Sequence, residues 1–137
     1  MSAMGSDVDL HLDNALIARL MQGNPDRPVG MLNQLKFRPQ ARYAPDSGEA
    51  ACSGAEAYGR YSAGVVPITQ ALGGITLHLA QSFWLEGSLD AWDQVFVIRY
   101  ASVKTFIALV SDPAYRRIVH HRTAALADAR LLMMDFP

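Results

Sequence analysis

The sequence predicts a single α+β domain whose elements run β-α-β-β-α-β after one leading helix. Three observations predict it. Strand-like alternation of apolar and polar residues returns in four segments. Two long helical stripes separate the first segment from the second and the third from the fourth. The middle two strands are joined too briefly for a crossover and must form an antiparallel hairpin. Two such split units, each with a right-handed crossover, give the ferredoxin-like arrangement: a four-stranded antiparallel sheet with both helices on one face.

The 137 residues fit one domain, divided into a tail and short helix over 1–27 and the folded domain over 28–137. In the first part Leu12, Leu16 and Leu20 form a helical stripe joined by Ile17. Asp9 or Asp13 is available as its cap, and Gly23-Asn24-Pro25 ends it. The first strand covers 29–37, with Val29, Met31, Asn33, Leu35 and Phe37 on one face and Gly30, Leu32, Gln34 and Lys36 on the other. The connection over 39–52 has no periodicity and is expected to be mobile.

Ser53-Gly54-Ala55-Glu56 reads as a capping box opening the first main helix. Tyr58, Tyr61, Val65, Ile68 and Leu72 make its buried stripe, Pro67 bends it, and Gly73-Gly74 ends it. Strands over 75–85 and 92–100 follow. Ser102 caps a second helix, which restarts at Asp112-Pro113 and continues towards Leu126. A last strand over 129–136 closes the domain. Val95 and Val97 lie on one side of the third strand and Phe96, Ile98 and Tyr100 on the other. The last strand sets Leu131 and Met133 against Leu132, Met134 and Phe136, so whichever face the helices cover, apolar residues remain on the second. A patch of that kind is larger than monomers usually expose, so a homodimer packed through the sheet face is expected.

Twelve basic residues against thirteen acidic ones, with a net charge of -1, give no electrostatic footprint for nucleic acid or an anionic membrane. No stretch approaches the roughly 20 apolar residues that span a bilayer. The N-terminal region carries Asp7, Asp9 and Asp13 where a signal peptide needs a basic start, so a cytoplasmic location is expected. Cys52 is the lone cysteine and has no charged neighbour to activate it.

Several segments resemble a bacterial family. They are Met31-Leu32-Asn33-Gln34-Leu35-Lys36-Phe37, Gly54-Ala55-Glu56-Ala57-Tyr58, Gly73-Gly74, Trp92-Asp93, Ser111-Asp112-Pro113-Ala114-Tyr115 and His121-Arg122-Thr123-Ala124-Ala125-Leu126. In that order they are similar to the domain-of-unknown-function family 1330, of the dimeric α+β-barrel superfamily. The resemblance implies a dimeric barrel. It also implies a choice among cofactor-free monooxygenases, lactone isomerases and haem-binding enzymes, which fold alone does not decide.

The residues themselves offer five site candidates. Asn33 places an amide within an apolar strand face, where it needs partners. His121 moves protons near neutrality and Arg122 holds an anion bidentately, so they are the catalytic candidates; a basic helix C-terminus is the competing explanation. Arg99 lies on the face of Val95 and Val97, in an interface or a pocket, with Asp135 as a candidate partner. Tyr61 sits on the core stripe, with contact to a ligand as its second reading. His78 and Trp84 share a strand face that either borders a pocket or meets water. No metal site is expected, because His120 and His121 are adjacent and point about 100° apart on a helix. No phosphate loop, nucleophile elbow or dinucleotide fingerprint is present, and no cofactor is expected. Whether the chain is an enzyme stays open: a cofactor-free oxygenase- or isomerase-like enzyme acting on a small acidic or phenolic compound, or a non-catalytic ligand-binding or stress-related homodimer.

Overall fold

The computed structural model describes residues 13–79 and 92–135, with side chains of 76–79 excepted. The short leading helix α1 (Asn14–Leu20) begins at Asp13, whose carboxylate accepts the Leu16 N–H, so Asp13 is the cap. Leu20, together with Met21 just beyond it, packs against the core. Strand β1 (Val29–Phe37) follows and runs through the sheet interior, with β3 on one side and β4 on the other.

Helix α2 (Gly54–Ala71) opens with the capping box foreseen for it: Ser53 Oγ accepts the Glu56 N–H, and Glu56 accepts the Ser53 N–H. Pro67 is accommodated within it, and Gly73 turns the chain at φ 78°. Strands β2 (Ile75–Leu79) and β3 (Gln94–Tyr100) pair antiparallel. The expected remainder of the second strand, with Trp84, lies outside the described residues, as does the His78 side chain.

The second helical region is three pieces: α3 (Val103–Ser111), α4 (Pro113–Arg116) and α5 (Val119–Ala125). Asp112 makes the break, because its carboxylate accepts the Ala114 N–H and Pro113 cannot donate to the preceding turn. Strand β4 (Leu126–Asp135) starts earlier than the expected residue 129. Leu126 pairs with Phe37 across a β-bulge, so the chain passes from helix to strand without a loop.

The strand order is β2-β3-β1-β4, all antiparallel, as a split β-α-β arrangement requires. Register sorts the faces. Met31 stands between Ile98 and Met133, and Asn33 between Phe96 and Leu131, on the face that packs under the helices. Leu32 stands between Val97 and Leu132 on the other face. Ile75 and Leu132 remain 53% and 55% exposed.

Two expectations change. Arg99 does not pair with Asp135: Arg99 is level with Gly30 whereas Asp135 is level with Val29, and a one-residue offset puts them on opposite faces. Asp135 takes Arg27 instead, at 3.2 Å. The aperiodic 39–52 connection is also tied down rather than free. The Arg38 N–H donates to the Ala125 carbonyl (2.8 Å), the Arg42 N–H to Ala124 (2.9 Å), and the Ala41 N–H to Cys52 (2.9 Å). None of the described helices is long and apolar enough to cross a membrane.

Candidate functional site

Between the helix-covered face of the sheet and helices α2 to α5 lies a cavity of about 410 Å³. That volume suits a small molecule, for which sites of roughly 300–1,000 Å³ are usual. Its walls are mostly apolar: Met31, Phe96, Ile98 and Leu131 from the strands, Val65 and Val66 from α2, and Phe106 and Leu109 from α3. A small polar set is placed among them. Asn33, Gln94 and Tyr100 come from the sheet, Tyr58, Tyr61, Ser62 and Thr69 from α2, Tyr115 from α4 and Arg122 from α5.

Helix phase explains how Arg122 arrives there. Residues 120, 121 and 122 step about 100° each, and only the third faces the core. Arg122 is 5% exposed beside the fully buried Ala125, while His120 is exposed. The cavity therefore has a guanidinium in its wall. Asn33 is 9% exposed, and its Nδ2 donates to the Met31 carbonyl oxygen at 3.2 Å.

The tyrosines form a connected set. Tyr61 Oη donates to Tyr115 Oη at 3.4 Å, the rings of Tyr58 and Tyr61 are 5.3 Å apart, and Tyr100 hydrogen-bonds Thr69. Burial pushes the Tyr58 and Tyr100 hydroxyls up to about 12, and Tyr61 well above its ordinary value. The Arg122 charge opposes that rise at Tyr58 and Tyr61, so its field reaches both. These hydroxyls are therefore neutral hydrogen-bond donors and not bases. In a native-state titration followed at 295 nm, Tyr58, Tyr61 and Tyr100 are expected to stay un-ionised at pH 10. Because the unfolded chain loses these protons first, stability is expected to fall from pH 10 towards 12. Ionisation of all five tyrosines near pH 10 without unfolding would contradict the buried arrangement.

His121 does not join Arg122. It belongs to a second cluster on the outer side of α5, where Tyr43 Oη meets its Nδ1 at 2.7 Å. Arg60 Nη1 donates to Tyr43 Oη at 3.2 Å and lies 3.8 Å from Glu49 Oε1. His120 Nε2 lies 3.0 Å from Glu49 Oε2. Donor atoms of Glu49, His120 and His121 all fall within 4.8 Å of one another. The hydrogen bond to His120 is the main reason the Glu49 carboxyl sits below its usual range. Burial, and then the neighbouring His120, lower His121.

Of the five candidates, Asn33, Tyr61 and Arg122 line the cavity, while His121 and Arg99 do not. Arg99 is on the opposite face of the sheet, level with Gly30 and Ile75. Sequence reading passed over Tyr58 as core and missed Tyr115, Tyr43 and Glu49. The stripe in α2 was the available signal for Tyr58. Nothing in the 39–52 segment marked Tyr43 or Glu49, because aperiodic chain carries no indication of what it will meet.

Among curated proteins none matches the chain significantly. Among solved structures, the RPA0582 protein of unknown function from Rhodopseudomonas palustris is 34% identical, covering 94% of this chain and 97% of that one, with a TM-score of 0.80. Its methylated form gives 34% identity, 96% coverage of each chain and a TM-score of 0.81. A protein from Caulobacter crescentus CB15, provisionally named an antibiotic biosynthesis monooxygenase, is 12% identical with a TM-score of 0.56, covering 82% of this chain and 92% of that one. At that identity it supports the fold alone. Residues 48–136 match the family described as Domain of unknown function (DUF1330), and the chain belongs to that family.

Proposed function

We propose that the cavity binds a small acidic or phenolic molecule and stabilises its anionic form. The observation that carries this reading is the buried Arg122 guanidinium in the wall of a mostly apolar cavity. Neutral tyrosine hydroxyls and the Asn33 amide lie on the same walls. Fixed donors aimed at an oxyanion in a water-poor site stabilise it more than water does. A bound phenol or enol there ionises more readily than in solution. The chemistry this favours is of the cofactor-free oxygenase kind, in which the substrate anion is itself the electron-rich reactant. An isomerase needs a base beside the substrate, and among the described residues no histidine, carboxylate, lysine or cysteine lines the cavity. The same observation supports the second reading, stoichiometric binding without turnover.

A nitrophenol whose colour reports ionisation tests the proposal. Its pKa is expected to fall on binding, and small aromatic acids are expected to displace it and to raise the melting temperature. If no phenol or acid in such a panel binds, the cavity has another role. Oxygen uptake with the phenols that bind then separates turnover from storage.

We also infer that two copies pair through the second sheet face as a dimeric α+β barrel. The apolar row Leu32, Val97 and Leu132 supports this, as does the exposure of Ile75 and Leu132. Sedimentation is expected to show a dimer for the native chain and a monomer for Leu132→Glu. A native chain that sediments as a monomer at micromolar concentration would remove this reading.

A further inference from the structure

We propose that Glu49, His120 and His121 form a binding site for a divalent first-row transition metal ion, separate from the cavity. Two imidazoles and one carboxylate are the ligand set that suits zinc and its neighbours. Their donor atoms already lie within 4.8 Å of one another, close enough to gather around an ion by side-chain rotation.

Adjacent helical histidines alone cannot chelate, since their directions diverge by about 100°. Here the two rings turn towards each other, with centroids 4.1 Å apart and planes tilted by 35°. The third ligand comes from 71 positions away, because the backbone bond from Arg42 to Ala124 brings the 39–53 segment back over α5.

The surroundings position these groups as outer contacts do in metal sites. Tyr43 Oη holds His121 through Nδ1, and when that nitrogen carries the proton Nε2 keeps its lone pair for an ion. Arg60 lies beside Oε1 of Glu49, leaving Oε2 turned to His120, as a monodentate ligand requires. Its positive charge also works against the ion, so affinity in the micromolar rather than the nanomolar range is expected, about 10⁻⁶ M. Three protein ligands leave a coordination position open to water or an incoming anion.

The test uses the full chain without a polyhistidine tag, titrated with Zn²⁺ by calorimetry and with Co²⁺ by visible absorption. One ion per chain is expected to bind, with a cobalt spectrum of nitrogen and oxygen ligation. His120→Ala and Glu49→Gln are expected to weaken binding by more than about tenfold, a change that outer-contact substitutions alone already reach. His121→Ala is expected to do the same, while His11→Ala and His78→Ala leave it unchanged. His120 is exposed, so its variant keeps the fold and decides the matter should His121→Ala unfold. No binding up to millimolar metal, or binding that survives both His120→Ala and Glu49→Gln, overturns the proposal. Nitrophenol binding in the cavity is measured alongside, so loss of one site is distinguishable from loss of the other.

Discussion

Gly54→Ala is expected to cost roughly 1–3 kcal/mol of stability, the range of overpacking a filled interior, and to sit at its upper end. The reason is backbone meeting backbone. Gly54 opens α2 against the β1–β4 junction, and its N–H donates to the Arg38 carbonyl at 3.1 Å. A methyl group there would stand 2.7 Å from both the Ala125 carbonyl oxygen and the Arg38 nitrogen. Neither atom can withdraw without disturbing the Arg38–Ala125 hydrogen bond that joins the end of β1 to the end of α5. Gly59 on the same helix has nothing within 4 Å of an added methyl group. Gly59→Ala is therefore expected to stabilise by up to about 0.5–1 kcal/mol, the ordinary gain in a helix interior. Urea denaturation of the two variants measures the contrast, and equal midpoints would show that the junction relaxes freely.

Arg122→Met is expected to weaken binding of small acids and phenolates by about 10- to 100-fold, the worth of a charge-assisted hydrogen bond of roughly 1.5–3 kcal/mol. The neutral form of the same phenol is expected to lose much less, so the bound pKa rises towards its solution value. The variant keeps a long apolar side chain at this buried position, so the loss of charge is separated from the loss of volume. His121→Ala, on the outer side of α5, is expected to leave that pKa unchanged. Equal loss of neutral and anionic ligands in Arg122→Met would mean that Arg122 shapes the cavity without acting through its charge.

Much of the fold was legible in the residues. Ser53 and Glu56 cap a helix through their own side chains, so the start of α2 follows from four consecutive positions. Asp112-Pro113 breaks the second helical region for an equally local reason. Alternation in β1 grouped Asn33 with Met31 and Leu35 on one apolar face, and the structure puts that face under the helices, where the cavity is. The start of β4 was less legible, since Leu126 continues an apolar helical stripe and only its pairing with Phe37 makes it strand. Asp135 on the last strand was a candidate partner for Arg99, yet the register that separates them comes from both neighbours of β1.

The site divides in the same way. His121-Arg122 reads as one basic pair in the sequence, but a helical step of about 100° sends Arg122 into the core and His121 to the Tyr43 hydroxyl. Periodicity by itself determined which elements form, which residues share a face, and that an apolar row remains on the second side of the sheet. Tertiary structure decided which face of α5 turns inward, and so which charge enters the cavity. It also decided that Glu49 returns to meet His120. Local sequence encodes the spacing of side chains along an element, whereas the rotation of that element and the path of an aperiodic segment depend on backbone hydrogen bonds between distant parts of the chain.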